Sequence, residues 1–260
     1  MSIATTPARR APALGGFSTT FLRLELRRML RNRRTVIFTL IMPAVFFLIF
    51  GTSAKYRGES AGAGNVTAYV LISMAVYGAM LATTSGGAMV SIERAAGWSR
   101  QLRITPLRPV AYIATKVVVA LVLGLAAVAI VCVVGAFFGA RMPTGVWVGS
   151  AVLAFVCASV FAAFGLFMGY LLHSDNVMQI LGPVLALLAF LGGLWIPVDQ
   201  LGSLFARVAE FTPAYGVGAL ARYPLVQSGS LGLEILNVVV WTLIFVAGAA
   251  WRFRRDTARV

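Results

Sequence analysis

The sequence contains little charge. Only 12% of its 260 residues are Asp, Glu, Lys or Arg, whereas 60% are apolar, and a soluble domain is typically about 25% charged. This balance excludes an ordinary soluble protein, because so much apolar surface is stable only in lipid. The net charge of +14 would suggest a nucleic-acid partner in a soluble protein. We predict no such partner here, because most basic residues flank apolar runs, where membrane topology places them.

Residues that build chemical sites are equally scarce. The two cysteines, Cys132 and Cys157, each lie in an apolar run, which favours neither a disulfide framework nor a metal site. The single histidine, His173, has no Ser/His/Asp pattern, zinc motif or pair of facing carboxylates around it, so we predict no catalytic residues and no metal. The sequence also lacks the Gly-x-x-x-x-Gly-Lys-Ser/Thr motif that binds nucleotide phosphates.

Long apolar runs are abundant. About 20 apolar residues cross a bilayer as a helix, and six stretches reach this length: 35–54, 66–91, 116–138, 147–172, 177–196 and 231–251. We predict an all-α integral membrane protein whose six transmembrane helices form one domain over residues 35–251. The fifth run is the least regular, because Gly192, Gly193 and Pro197 interrupt its end.

Basic residues flank these runs unevenly. Seventeen Lys and Arg residues lie in the N-terminal segment, the loop after span 2 and the C-terminal tail, against five on the opposite side. Because basic residues accumulate on the cytoplasmic side, we predict that both termini are cytoplasmic, including a basic tail at 252–260. No predicted span carries a charge near its centre, which disfavours an ion-coupled transporter.

The segment before span 1 has two parts. Residues 1–16 are rich in Ala, Pro, Thr and Gly, which predicts a disordered tail. Residues 17–34 predict a basic amphipathic helix, in which Arg28 and Arg33 interrupt an otherwise clean division of faces. One narrow face of this interfacial helix carries four arginines: Arg23, Arg27, Arg31 and Arg34. The helix could lie on the inner leaflet as an anchor, or it could also pack on a cytoplasmic partner.

A polar loop separates spans 2 and 3, from Glu93 to Lys116. Its middle, residues 95–103, contains no proline and predicts a short helix. Trp98 and Leu102 would share one face of that helix, with arginines beside them, and Trp with Arg is typical of the centre of a protein interface. The loop therefore predicts a docking site for a soluble protein, and a Trp at the membrane surface is the alternative.

Taken together, these features resemble the type-2 ABC exporter permeases, which are the membrane subunits of bacterial drug, antibiotic and polysaccharide exporters. The likeness in the loop rests on the order of its motifs: Glu93-Arg94, Gly97, Leu102, Thr105-Pro106-Leu107 and Lys116. Two further stretches resemble the family's external segment, which re-enters the outer leaflet before span 6: Gly192-Gly193-Leu194-Trp195-Ile196-Pro197 and Glu210-Phe211-Thr212-Pro213. Trp98 departs from the family, which often has a small or hydroxyl residue there.

The resemblance implies an ATP-driven exporter in the bacterial plasma membrane. A separate ABC ATPase subunit would hold ATP and Mg, so that this chain binds no cofactor. Two permease copies, identical or paralogous, and two ATPase subunits would form the working unit, with membrane lipid as a further partner. By the resemblance, a coupling helix would rest on the ATPase through Glu93, Arg94, Gly97, Trp98, Arg100 and Leu102. Glu93 could also pair with an arginine of the interfacial helix, either Arg27 or Arg28.

In the family, the cargo path lies between the two permease copies and is lined by spans 2 and 5. Carried over to this chain, that path would include Ser73, Tyr77, Met80, Thr84, Met178, Leu185 and Phe190. Such a lining suits an amphipathic or apolar cargo, such as a drug, an antibiotic or a lipid-like molecule, although the same residues are also typical of helix packing. A membrane scaffold without transport activity and an ion-coupled secondary transporter are the alternative functions.

Overall fold

The fold is that of a computed structural model, which describes residues 17–97, 107–172 and 174–258. The predictions for the tail 1–16, for His173 and for the loop residues Trp98, Arg100 and Leu102 lie outside these residues.

The N-terminal half contains helices joined by short connections and one small hairpin. Its elements are α1 (Thr19–Arg31), α2 (Arg33–Val36), a π-helix (Ile37–Ile41), α3 (Met42–Gly51), α4 (Ala54–Gly58), β1 (Ser60–Ala61), β2 (Gly64–Asn65) and α5 (Val66–Ala95). The two strands are antiparallel. Asn65 then starts α5, because its side-chain oxygen accepts a hydrogen bond from the backbone N–H of Ala68 at 3.0 Å, as an N-cap residue does.

The C-terminal half is also helical. Its elements are α6 (Pro109–Phe137), α7 (Thr144–Ala158), α8 (Val160–Leu171), α9 (Ser174–Leu191), a 3-10 turn (Val198–Gln200), α10 (Ser203–Ala209), α11 (Pro213–Val226) and α12 (Leu231–Ala258). Helices α7 and α8 follow each other with only Ser159 between them and form one apolar stretch.

Five helical segments among the described residues are long and apolar enough to cross a membrane: Arg33–Gly51, Val66–Ala95, Pro109–Phe137, Thr144–Leu171 and Leu231–Arg255. They confirm the predicted all-α membrane class. The predicted fifth span, 177–196, corresponds to α9, which ends at Leu191, five residues before the predicted end. The helix ends there because Gly193 adopts a positive φ of 69°, a conformation that glycine reaches at little cost. The count of six spans therefore stays a prediction.

The helices on either side of the segment between spans 2 and 3 extend further than the sequence predicted. Helix α5 continues to Ala95 and α6 already begins at Pro109. Glu93, the predicted start of the loop, therefore lies in α5, and Lys116, the predicted start of span 3, lies within α6. Proline is well suited to the first helical turn, because its fixed φ is helical and its missing N–H would have no partner there. The apolar pattern of the sequence does not predict the last turn of α5 or the first turns of α6, because these turns contain charged residues. In the structure those charges are buried as pairs, such as Glu93 with Lys116.

Helix α5 lies at the centre of the bundle and packs against α3, α6 and α8. Glycines permit its close contact with α8. A Cβ atom on Gly165 would overlap the backbone of Thr84, and one on Gly87 would come within 2.5 Å of the backbone nitrogen of Leu166. Small residues allow membrane helices to approach at this distance.

The segment before α12 packs along that helix. Trp241 donates from its ring nitrogen to the carbonyl of Phe211 at 2.9 Å, and Asn237 donates to the carbonyl of Glu210 at 2.7 Å. At 1.5 Å per residue, Trp241 lies about 15 Å from the start of α12. The C-terminal end of α11 contacts the hairpin, where the N–H of Ala63 donates to the carbonyl of Leu225 at 2.8 Å.

Candidate functional site

A cluster of charged side chains joins three helices at one end of the bundle. The charged cluster comprises Glu25, Arg28, Glu93, Tyr112 and Lys116. The Lys116 ammonium lies 2.5 Å from a carboxylate oxygen of Glu93 and 2.5 Å from one of Glu25. Arg28 donates to Glu93 at 2.7 Å, and the Tyr112 hydroxyl donates to the other oxygen of Glu93.

The positions of these residues on their helices bring them together. Tyr112 and Lys116 are four residues apart and share one face of α6, whereas Glu25 and Arg28 are three apart on α1. Glu93 lies in the last turn of α5. The same face of α1 buries Met29 in an apolar cluster that includes Leu40, Met89, Val119 and Leu123. Helix α1 therefore packs on the protein itself.

The charged cluster is nearly closed to solvent. Lys116, Glu93 and Glu25 are 2%, 3% and 6% exposed, respectively, whereas the side chain of Arg28 is 48% exposed. Two carboxylates face two cations, so the charges balance. Loss of one partner from a buried pair costs about 3–5 kcal/mol, because it leaves an uncompensated charge. The three helix ends are therefore held in one arrangement.

The neighbouring residue Arg94 points to a different helix. Its guanidinium donates to the carbonyl of Tyr170 at 3.2 Å and lies 5.3 Å from the centre of the Tyr170 ring. Ser91 adds a bond from its hydroxyl to the carbonyl of Leu172 at 2.9 Å. These groups satisfy carbonyls at the end of α8 that have no partner within the helix. Glu93 and Arg94 thus connect the end of α5 to α1 and α6 on one side and to α8 on the other.

Helix α5 ends directly after this pair. The N–H of Gly97 donates to the carbonyl of Arg94 at 3.0 Å, and Gly97 has a φ of +74°, which is typical of a glycine after a helix C-terminus. The predicted coupling helix therefore does not begin at Glu93, because Glu93 and Arg94 belong to α5. Its remaining residues, Trp98, Arg100 and Leu102, lie outside the described residues.

The predicted arginine face and ion pair can be located in the structure. Arg23, Arg27 and Arg31 are exposed on α1, and of the two proposed partners of Glu93 it is Arg28 that forms the ion pair. Sequence reasoning missed Glu25 and Tyr112, and it placed Lys116 at the start of span 3 without giving it a partner. Glu25 carried a usable signal, because it is the only acid in the first 58 residues and stands within a basic helix.

The residues predicted to line a cargo path are mostly buried within this chain: Ser73, Tyr77, Met80, Thr84 and Leu185 are buried and Phe190 is half-buried. The side chain of Met178 is not among those described. Thr84 donates to the carbonyl of Phe161 on α8 at 3.3 Å, which is helix packing. Tyr77 instead joins an aromatic group, with its ring 5.5 Å from that of Trp195 and 6.3 Å from that of Phe46.

Two comparisons with known proteins bear on this arrangement. Residues 19–223 match the family model described as "ABC-2 type transporter". The chain is also 26% identical over 238 residues to "Putative transport permease YvfS" of Bacillus subtilis (strain 168), an alignment that covers 90% of this chain and 96% of that protein. The matched region contains every residue of the charged cluster.

Proposed function

Because the chain belongs to the ABC-2 type transporter family, we propose that it is the membrane permease subunit of an ATP-driven exporter. A separate ATPase subunit supplies the energy, and the cargo is an amphipathic or apolar small molecule. The observation that carries this proposal is the charged cluster, which lies where α5 ends and α6 begins, at the two ends of the connecting loop predicted from the sequence. This loop is the part of the chain that we expect the ATPase to contact.

The charged cluster gives the loop a mechanical connection to the bundle. Glu93 and Lys116 fix the end of α5 to the start of α6, and Glu25 and Arg28 add α1. Movement of the loop is then transmitted to α1, α5 and α6 together, because any one of these helices that slid past another would separate buried charges. Helix α5 continues for 30 residues, about 45 Å at 1.5 Å per residue, and carries this movement to the other end of the bundle.

A sixth crossing of the membrane by α9 is part of the proposal. Helix α1 reaches Glu93, Arg94 reaches Tyr170, and the Tyr170 ring lies 5.8 Å from that of Phe253 near the C-terminus. Helix α1 and the C-terminal part of α12 therefore lie at the same end of the bundle, and this supports an even number of crossings. The five long helices alone would place the termini on opposite sides.

We also propose that the segment around α10 and α11 re-enters the outer leaflet. The depth of Phe211 beside Trp241 supports this placement. So do exposed apolar side chains in this segment, including Leu204, Phe205, Val208 and Phe211, which would contact lipid or a second permease copy.

Co-purification tests the proposed ATPase partner. Tagged full-length protein is isolated from native membranes, and the eluate is assayed for ATP hydrolysis. We expect a soluble ATPase with the wild type, and we expect Glu93→Gln to lose that ATPase or to uncouple its hydrolysis from transport. Glu59→Gln is the matched control, because Glu59 is an exposed carboxylate near the hairpin. A wild-type eluate without ATPase would favour the scaffold or the secondary transporter instead.

A further inference from the structure

A buried arginine lies near the opposite end of the bundle from the charged cluster. Arg222, on α11, is only 6% exposed. Its Nη1 donates to the hydroxyl of Ser73 on α5 at 3.1 Å and to the carbonyl of Gly193, after α9, at 3.2 Å. Its guanidinium also lies 5.0 Å from the centre of the Tyr69 ring. Each of these partners is neutral.

A buried cation whose partners are all neutral is energetically unusual, because desolvation disfavours an unpaired charge. Among the described residues, no carboxylate oxygen lies within 4.0 Å of the guanidinium. Glu234 on α12 lies near Arg222 without forming an ion pair, and one buried oxygen of Glu234 has no hydrogen-bond partner. Arginine has five N–H donors in a planar fork that fits a phosphate or carboxylate, and the described hydrogen bonds use only Nη1.

The surroundings of Arg222 are apolar and aromatic on the side of α5. Tyr69, Ser73 and Tyr77 follow one another at intervals of four residues and therefore share one face of that helix. Tyr77 packs edge-on against Trp195, with ring centres 5.5 Å apart, and Trp195 is partly exposed. A cationic group at one end and aromatic rings beside it match a molecule that has an anionic headgroup and an apolar body.

We propose that Arg222 binds the anionic headgroup, a phosphate or carboxylate, of an amphiphile whose apolar part lies against Tyr69, Tyr77 and Trp195. The inference deepens the proposed function and rests on it only in identifying this amphiphile as the cargo. A membrane phospholipid has the same chemistry and is the other source of such a headgroup. The carboxylate of Glu234 repels the bound anion. The site therefore favours amphiphiles whose headgroup contacts the guanidinium of Arg222 directly.

Equilibrium binding to the full-length protein in phosphatidylcholine nanodiscs tests this site. The probes are dodecyl phosphate and dodecyl maltoside, which have the same tail, and binding to empty nanodiscs is subtracted. We expect the wild type to prefer dodecyl phosphate by about tenfold or more, the size of one hydrogen bond to a charged group. We expect Arg222→Met to lose the preference, Arg222→Lys to keep part of it, and Glu234→Gln to increase it. Arg141→Met, at an exposed arginine, should change nothing.

The inference is wrong if the wild type shows no preference, or if folded Arg222→Met retains it. A second measurement does not depend on the folding of Arg222→Met. Dodecyl phosphate with a bromine on its tail should quench tryptophan fluorescence in the wild type, and Trp195→Phe should remove most of that quenching. Equal quenching in both proteins would place the amphiphile elsewhere and would overturn the assignment.

A change in the lipid composition of the nanodiscs shows whether the bound headgroup belongs to a membrane phospholipid or to a cargo. If a membrane phospholipid occupies the site, nanodiscs of phosphatidylglycerol should suppress binding of dodecyl phosphate, and if it is a transported cargo, binding should persist. Both results support the site and identify its occupant. Because these measurements need no ATP and no ATPase, absence of an ATPase partner would contradict the proposed function and leave the binding result intact.

Discussion

At the scale of single residues, Glu93 has the most connected position in the charged cluster. It accepts hydrogen bonds from Arg28, Tyr112 and Lys116, which come from two other helices. An exchange of Arg28 and Glu93 is therefore not a clean test of their pairing, since it would place an arginine beside Lys116. Removal of charge is more informative, because it leaves the remaining partners in place.

We expect Glu93→Gln and Lys116→Met each to lower the free energy of unfolding by about 3 kcal/mol, since each leaves a buried charge without its partner. The double variant should lose clearly less than the sum of the two, because it removes both charges of the pair. Thermal unfolding in detergent measures all three proteins. The exposed pair Lys55–Glu59, 3.5 Å apart, is the control, and Glu59→Gln should cost less than about 1 kcal/mol. Additive losses would show that Glu93 and Lys116 do not interact.

At the scale of helices, the packing of α5 on α8 depends on the absence of side chains. Gly165 and Gly87 let the two backbones touch. The hydroxyl of Thr84 donates to the carbonyl of Phe161 on α8 at 3.3 Å, and that of Thr83 donates to the carbonyl of Ala158 at the end of α7 at 3.2 Å. Because α5 also carries Glu93 and Ser73, this contact positions both the charged cluster and the Arg222 site.

We expect Gly165→Ala to destabilise the protein by roughly 1–3 kcal/mol, the cost of overpacking a tight interface. The added Cβ would overlap the backbone of Thr84, which cannot move aside as a flexible side chain would. Gly145→Ala, in α7, is the matched control, because nothing lies within 4 Å of its Cβ position. That change should be neutral or slightly stabilising. Equal effects on the melting temperature would contradict the predicted close contact.

At the scale of the whole molecule, the connections between distant elements decide the topology. The bond between Ala63 and Leu225 places the hairpin and the end of α11 together, whereas Tyr170 and Phe253 meet at the end that contains the charged cluster. The two ends are therefore chemically different. One carries the charged cluster, and the other carries Arg222 among aromatic side chains.

Cysteine labelling in intact cells tests this topology. In a variant with Cys132 and Cys157 replaced by alanine, a membrane-impermeant maleimide should label Ser60→Cys and Ser228→Cys from outside. It should label Thr257→Cys only after the membrane is opened, because the proposed even number of crossings would return the chain to the cytoplasm. External labelling of Thr257→Cys, with Ser228→Cys protected, would mean that α9 does not cross.

The sequence by itself determined the membrane class, the positions of five spans and the family resemblance, because long apolar runs and flanking arginines are local signals. Only the tertiary structure decided that Glu25, Glu93 and Lys116 share one cluster, since these residues are up to 91 positions apart and hydropathy treats each as a loop or surface charge. It also decided the partners of Arg222, which contacts α5 across 149 positions. Such pairings depend on which helix faces meet, and the packing of small residues along α5 sets those faces.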